Sequence, residues 1–167
     1  LKTKYICYKY KFMNKSFKFV IIVCLSIFFF SLIIKKDKPT SYSKIQKTIN
    51  SNWYFKLGDN SAYKQKSFEE KDWRVLNLPH DWSVEGKYDT IYGTDWQSGY
   101  LPAGIGWYRK DLDIDIKPSD YEIELQFDGI YMNSTIYVNG NKVGSQHYGY
   151  SSFFYNISKY LKLGKNK

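Results

Sequence analysis

Residues 51–167 are predicted to form an all-β domain, either a sandwich or a barrel. Short segments rich in β-branched and aromatic residues alternate there with turn residues, which is the pattern of many short strands. Tyr121–Asp128 places apolar and polar residues in strict alternation, as a half-buried strand does. No segment after residue 50 has sustained helical periodicity.

The predicted strands follow one another at short intervals along the chain. Asn139-Gly140 lies between two of them and is typical of a tight hairpin turn, because both turn residues need positive φ. Ile157–Leu161 indicates a single turn before another strand, and the sequence ends where that strand is expected to begin. We therefore expect a sandwich that is truncated at its C-terminal end, lacks its last strand and exposes an edge. The strands are Trp53–Leu57, Val75–Leu78, Trp107–Ile116, Tyr121–Asp128, Met132–Val138, Lys142-Val143 and Phe153–Tyr155.

The net charge of +9 is confined to the first fifty residues. Residues 1–50 contain 11 Lys and one acidic residue, whereas residues 51–167 contain 14 Lys and Arg against 15 Asp and Glu. A nucleic-acid-binding domain carries its basic patch on the folded part. Nucleic acid is therefore not expected as a partner.

Both cysteines, Cys7 and Cys24, precede the predicted domain. A disulfide or a cysteine-based zinc site is therefore excluded within it. The sequence contains only two histidines, His80 and His147, so a histidine metal site is not expected either. We expect no metal and no cofactor.

Phe19–Ile34 is an uncharged run of sixteen residues preceded by lysines. A basic segment before an apolar run of this length is typical of an export signal. An uncleaved membrane anchor stays open as the alternative, because no small-residue cleavage motif is visible near Ile34 and lysines follow the run directly. A buried core helix fits poorly, since the run has no polar stripe. We expect an exported protein, periplasmic or extracellular, that contacts a membrane only through residues 19–34.

Residues 1–36 are therefore assigned to a signal peptide or anchor helix, and residues 37–50 to a linker rich in Ser, Thr and Lys. Met13, with basic residues and then the apolar run after it, is a natural signal-peptide start. A further hypothesis is that translation begins there and that residues 1–12 are untranslated.

A long segment from His80 to Gly106 departs from the strand pattern. It contains five glycines together with several tryptophans and tyrosines. A loop of this length in a compact domain is usually functional or disordered, and its aromatic content argues against disorder. We therefore expect a functional loop.

Seven short blocks stand in a fixed order over residues 52–165. They are Trp53-Tyr-Phe-Lys-Leu-Gly58, Trp73-Arg-Val75, Leu78-Pro-His-Asp-Trp-Ser83, Gly99-Tyr-Leu-Pro-Ala-Gly-Ile-Gly-Trp-Tyr-Arg-Lys110, Phe127-Asp-Gly-Ile-Tyr-Met-Asn-Ser134, Val138-Asn-Gly140 and Tyr148-Gly-Tyr-Ser-Ser-Phe153. In this order and spacing they resemble the N-terminal sugar-binding domain of glycoside hydrolase family 2, of the β-galactosidase type. Ala103 stands where the family has glycine.

The resemblance implies a jelly-roll, galactose-binding-like sandwich whose partner is a carbohydrate, a β-galactoside or a related glycoside. In the family an immunoglobulin-like domain and a barrel follow, and two barrel glutamates hydrolyse the glycosidic bond with retention. Neither domain is present in this sequence, so the chain alone is expected to be inactive and to hold no catalytic residue. Glu122 and Glu124 are neighbours on the polar face of one strand, which indicates surface residues and not a catalytic pair.

Six residues are candidates for the rim of a substrate site. Trp82, Trp96 and Tyr100 are interpreted as rings that stack on a sugar face; the alternative is that they anchor the long loop to the sandwich. His80 and Asp81 are interpreted as partners of substrate hydroxyls; the alternative is local hydrogen bonding to the loop backbone. Arg109 is the sixth candidate, with a salt bridge or packing as its alternative.

Three functions stay open at this point. The chain is part of a β-galactosidase-like hydrolase, or a non-catalytic carbohydrate-binding module, or a gene fragment without function. The sugar itself stays open too, because relatives with this front domain act on β-galactosides, β-glucuronides and β-mannosides.

Overall fold

The computed structural model describes residues 2–10, 44–92 and 99–167. Within these ranges the chain forms eleven β-strands, and the only helical elements are single 3-10 turns. The predicted all-β class is confirmed. The strands are β1 Lys2–Tyr10, β2 Ile45–Lys47, β3 Trp53–Leu57, β4 Arg74–Leu76, β5 Gly106–Arg109, β6 Leu112–Ile114, β7 Tyr121–Gly129, β8 Ser134–Val138, β9 Asn141–Gln146, β10 Phe153–Asn156 and β11 Gly164–Asn166.

The largest sheet is antiparallel and has the order β10-β7-β1-β2. Its longest strand with described side chains, β7, alternates as the sequence predicts: Ile123, Leu125 and Phe127 are buried. Burial of each of these side chains stabilises the fold by about 2 kcal/mol. Phe127 of β7 lies opposite Phe153 of β10, and their rings stack with centroids 5.1 Å apart.

The second sheet has the order β4-β3-β5, with both neighbours antiparallel to β3. Trp53 and Phe55 are buried on β3, while Tyr54 and Lys56 between them are half-buried. Trp53 pairs with Leu76 at one end of β3, and Leu57 pairs with Gly106 at the other. The chain from β4 to β5 therefore passes from one end of β3 to the other, and this crossing segment is the long loop.

The predicted Asn139-Gly140 hairpin is confirmed, because β8 and β9 pair antiparallel on either side of it. The φ angles are 51° at Asn139 and 85° at Gly140, as this turn requires. The fourth sheet pairs β6 with β11.

One apolar core joins residues from several of these sheets. Ile114, Ile123 and Ile157 are almost completely buried at its centre. Sheets that turn apolar faces to a common core are the arrangement of a β-sandwich. The core also contains Ile49, Trp53, Leu78, Leu125, Phe127, Val138 and Leu161.

Three features differ from the expectations. The single strand predicted over residues 107–116 is divided into β5 and β6, because the chain there leaves the three-stranded sheet and pairs with β11. A short strand, β11, stands where the missing strand was expected to begin. β2 and the buried Ile49 lie within the predicted linker 37–50, and β1, within the predicted leader, pairs along β7.

The apolar run at residues 19–34, predicted as a signal or anchor helix, lies outside the described residues. In the part of the chain that the structure describes, no helix has the length and apolar character needed to cross a membrane. The assignment of the leader stays a prediction.

Candidate functional site

The long loop is fixed to the sheet by a chain of polar contacts that starts at His80. The two ring nitrogens of His80 are bonded in different directions, Nδ1 with the Tyr108 hydroxyl at 2.7 Å and Nε2 with Glu85 Oε1 at 3.2 Å. Its ring also lies edge-on to buried Phe55, with centroids 4.9 Å apart. His80 therefore joins the loop to strands β3 and β5.

Arg74 on β4 completes this chain from the other side. Its guanidinium donates two hydrogen bonds to the Glu85 carboxylate, at 2.5 and 2.9 Å. These bonds, followed by the contact with His80, lower the pKa of Glu85 from 4.5 to about 2. Glu85 thus stays ionised at any physiological pH and ties the loop to β4.

Tyr108, which is half-buried on β5, is the last residue of this chain of contacts. Burial of the phenol, and then the negative charges of Asp81 and Glu85, raise its pKa well above the usual value of 10. The hydroxyl therefore remains protonated and available as a hydrogen-bond partner of His80. The four residues act as a brace for the loop: His80, Glu85, Arg74 and Tyr108.

Trp82 is not part of the brace. Its ring packs against Gly106, where the long loop rejoins the sheet at β5. A Cβ built on Gly106 would stand 2.9 Å from Trp82 Nε1 and 3.1 Å from Phe55 Cε2, so only glycine permits this approach. The half-buried ring lines a cavity of about 230 Å³ together with charged side chains. Both interpretations of Trp82 are compatible with this position: it packs on the sheet and it borders an open cavity. The other residues of the cavity are Phe55, Lys56, Leu57, Asp72, Arg74 and Glu85.

Asp81 is exposed and bonds locally. Its Oδ1 accepts hydrogen bonds from the backbone N–H of Ser83 at 3.0 Å and from the Ser83 hydroxyl at 2.7 Å. These are the local backbone bonds of the alternative interpretation. Both bonds of the turn are accepted by Oδ1, and neither uses Asp81 Oδ2.

Tyr100 lies at the far side of the loop, with a φ of 51°. Its carbonyl accepts a hydrogen bond from Asp89 N at 3.0 Å, which joins the outgoing and returning parts of the loop. Tyr100, Tyr88, Asp89 and Thr90 line a second cavity of about 390 Å³. Tyr88 is 75% exposed, so its ring is presented to solvent.

Arg109 is separated from this group of residues. It is 5% exposed and points away from its strand neighbour Tyr108. Its guanidinium bonds Glu70 through Nε at 2.5 Å and the carbonyl oxygens of Tyr63 and Phe68. The structure gives Arg109 the salt-bridge role that was its alternative.

The structure therefore brings His80, Asp81, Trp82 and Tyr100 onto one loop and leaves Arg109 outside it. The sixth candidate, Trp96, lies outside the described residues. Among the residues that are described, no three His, Cys, Asp or Glu side chains are grouped as metal ligands.

Sequence reasoning missed the brace partners and one exposed ring. Arg74 and Glu85 are eleven residues apart, and nothing in the pattern of either segment indicates that they meet. Tyr108 belongs to a predicted strand, so its role follows only from the pairing of β5 with β3. Tyr88 could have been found, because it is an aromatic residue within the long loop.

This arrangement offers aromatic faces beside hydrogen-bonding groups on a braced loop. Such a surface fits a ligand with both apolar C–H faces and hydroxyl groups. It is suited to binding, and the polar groups that it contains serve mainly to hold the loop.

Comparison with known proteins agrees with this chemistry. Residues 46–167 match the family described as "Glycosyl hydrolases family 2, sugar binding domain". The beta-galactosidase BoGH2A of Bacteroides ovatus is 43% identical over 113 residues, which is 68% of this chain and 13% of that protein.

Solved structures give the same result. The crystal structure of a beta-glycosidase from Bacteroides vulgatus is 45% identical, with a TM-score of 0.67 over 71% of this chain and 16% of that one. A Bacteroides uniformis beta-glucuronidase is 30% identical, with a TM-score of 0.59 over 72% of this chain and 14% of that one.

The chain spans about one seventh of the length of the curated relatives that it matches. The chain belongs to glycosyl hydrolase family 2 and carries the sugar-binding domain of that family.

Proposed function

We propose that residues 46–167 are the front domain of a glycosidase that hydrolyses β-galactosides or related β-glycosides, and that the loop 77–105 forms part of the rim of its active site. The jelly-roll form of the sandwich belongs to this proposal. The observation that carries it is the long loop, which is tied to the sheet through His80 and Glu85 and presents Trp82 at one cavity and Tyr88 and Tyr100 at another. Trp82 lies within the braced part, so its ring loses little further conformational entropy on binding.

The domain contributes binding and not bond cleavage. In a retaining glycosidase two carboxylates about 5–5.5 Å apart cleave the bond, one as nucleophile and one as acid/base. The resemblance assigns these carboxylates to a barrel. The role of the loop is then to hold the sugar against that barrel, with a ring on a C–H face and Asp81 near a hydroxyl.

The galactoside is the first candidate substrate, because BoGH2A carries the name beta-galactosidase and shares 43% identity. A glucuronide has similar support, because a protein of Formosa agariphila named putative beta-glucuronidase is 40% identical over 87% of this chain. The glucuronidase name of the Bacteroides uniformis relative, at 30% identity, supports a glucuronide as the second candidate. The two sugars differ in charge at C6, so the experiment compares them directly.

A domain exchange tests the proposal. Residues 46–167 would replace the matching domain of BoGH2A, and kcat/KM would be measured on aryl β-galactoside and aryl β-glucuronide. We expect an active chimera, and we expect Tyr100→Ala and Trp82→Ala each to raise KM about tenfold, which corresponds to about 1.4 kcal/mol. Leu163→Ala, an exposed residue away from the loop, is the matched control and should leave KM unchanged. A folded chimera whose KM responds to neither loop substitution would contradict the proposal.

Export through the leader is a separate part of the proposal. The apolar run Phe19–Ile34 with preceding lysines supports it. N-terminal sequencing of the protein from an expressing cell distinguishes the alternatives: a new terminus after residue 34 indicates a cleaved signal, and an intact leader in the membrane fraction indicates an anchor.

A further inference from the structure

A second aromatic surface lies at the opposite end of the β8–β9 hairpin from the Asn139-Gly140 turn. It consists of Tyr131, Tyr148 and Tyr150, which we call the tyrosine platform. These residues are 69%, 64% and 78% exposed. Clustered large rings that remain in water are unusual on a surface without a binding partner.

The three rings form one continuous group. The centroids of Tyr131 and Tyr150 are 5.4 Å apart with the planes at 64°, and those of Tyr148 and Tyr150 are 5.8 Å apart at 61°. Tyr150 therefore stands between two tilted neighbours. Each pair forms a shallow corner with one ring face and one ring edge.

The loops that carry the platform are tied to each other. Asn133 N donates to His147 O at 3.3 Å, and His147 Nδ1 lies 3.0 Å from Asn133 Oδ1. Gln146 Nε2 donates to Ser151 Oγ at 3.1 Å. These bonds hold the rings in a fixed arrangement before any ligand arrives.

Gly149 fixes the position of the first ring. A Cβ on Gly149 would lie 2.6 Å from Tyr131 Cδ2 and 2.9 Å from Tyr131 Cα. The backbone of the 148–150 loop thus packs directly against Tyr131, which closes the platform into one surface.

The platform has no carboxylate, ammonium or guanidinium group in its own segments. Residues 129–141 and 143–158 contain no Lys, Arg, Asp or Glu, and the first of these segments is bordered by Asp128 and by Lys2, which pairs with Gly129. A nucleic acid or an anionic sugar is recognised through basic side chains, which these segments do not offer. Phenol hydroxyls and ring faces suit a neutral ligand with C–H faces and hydroxyls.

The size of the platform also separates the candidate partners. Three tyrosines that cover roughly 150–250 Å² each when buried offer together at most about 450–750 Å². This total is below the ~800 Å² that each partner contributes to a specific protein interface. The same area covers one or two sugar rings.

We propose that the tyrosine platform is a second carbohydrate-binding site, one that takes the C–H face of a neutral pyranose on Tyr150 and its hydroxyls beside Tyr148 and His147. The site lies on loops 129–134 and 147–151 and uses none of the residues of the long loop. It goes beyond the proposed function, because it requires no barrel.

The test is an NMR titration of the full chain, labelled in its tyrosine rings, with lactose and separately with glucuronate. We expect millimolar binding of lactose, shifts of the platform rings, and weaker binding of glucuronate. Tyr150→Ala should weaken lactose binding about tenfold, which corresponds to about 1.4 kcal/mol. Tyr150→Phe keeps the ring and should change binding less than about threefold.

Phe154→Ala is the matched control, because it removes a ring that is 62% exposed outside the platform, and it should leave lactose binding unchanged. Folding of each variant is checked by its methyl spectrum.

A folded chain with no lactose binding up to about 50 mM, roughly tenfold above the weakest expected Kd, would overturn the proposal. Binding lost in Tyr100→Ala but kept in Tyr150→Ala would place the sugar in the long loop and also overturn it. So would self-association that Tyr150→Ala abolishes without any effect of lactose.

Discussion

At the scale of single residues, two ion pairs of the same composition have different roles. Arg109 and Glu70 are 4% and 10% exposed at their side chains, whereas Arg74 and Glu85 are 56% and 41% exposed. Removal of one partner from a buried pair leaves an uncompensated charge in a poorly solvated site. An exposed pair loses little, because water replaces the partner.

The first prediction follows from this contrast. Arg109→Met should lower the free energy of unfolding by about 3 kcal/mol, the lower end for a broken buried pair, because Lys167 remains 2.9 Å from Glu70. Arg74→Met is the matched control and should have a clearly smaller effect. Urea unfolding of both variants measures the difference, and equal losses would show that burial does not decide the role of the pair.

The second prediction concerns pH. The bonds from Arg74 and His80 lower the pKa of Glu85 to about 2, so the ionised carboxylate stabilises the folded state above the ordinary pKa of 4.5. This contribution is lost as the pH falls from about 4.5 towards 2. We expect the urea midpoint of the unmodified chain to fall more steeply over this range than that of Glu85→Gln. Parallel curves would mean that the contacts of Glu85 do not stabilise the fold.

At the scale of the elements, the β8–β9 hairpin depends on its two turn residues, Asn139 and Gly140, which both have positive φ. Gly140 has a φ of 85°, and a Cβ there would meet Lys64 O at 3.6 Å and no closer atom. Space is therefore available, and only the left-handed backbone restricts the choice of residue.

The third prediction uses this position. Gly140→Val should destabilise the chain by about 2 kcal/mol, since a β-branched residue is strained at positive φ. Gly140→Asn, which tolerates this conformation, should have a smaller effect. Thermal unfolding of the two variants gives the comparison, and an equal loss in both would indicate a steric cause in place of backbone strain.

Sequence patterns predicted correctly those elements that are marked by a repeating alternation of residues or by a short turn motif. The alternation of β7 and the Asn-Gly turn led directly to the observed strands and hairpin. A last strand was expected to begin at the place of β11, but pairing within Gly164–Asn166 itself was not predicted, because these residues have little strand propensity. Its place is set by the buried side chain of Asn166, which bonds to Lys162, Gly164 and Asn139. Such contacts depend on the tertiary structure and leave no mark in the pattern.

The sequence indicated the loop that carries the candidate site, but not which neighbouring residues face that loop. His80, Trp82 and Tyr100 were proposed because they lie in an aromatic loop without strand periodicity, and the structure places them on that loop. Arg109 was grouped with them through its position in a sequence block, yet it faces the buried contact with Glu70. Alternation along β5 sends Tyr108 and Arg109 to opposite sides, and only the pairing with β3 shows which side faces the loop.

At the scale of the whole molecule, the chain carries two aromatic surfaces on different loops. The long loop crosses β3 with its rings beside hydrogen-bonding groups, while the tyrosine platform lies at one end of β8–β9. The family model that the chain matches is a sugar-binding domain, and the relatives that it matches are several times longer than this chain. The chemistry of hydrolysis is then expected from the remainder of such a protein.

The most direct measurement is a crystal structure of the BoGH2A chimera that carries residues 46–167, with a covalent glycoside inhibitor bound in the barrel. If the loop lines the active site, the ring of Trp82, Tyr88 or Tyr100 will lie about 4 Å from the bound sugar, the distance of a packing contact. A fully active chimera in which the loop 77–105 is remote from the inhibitor would show that this loop does not form the rim of the active site.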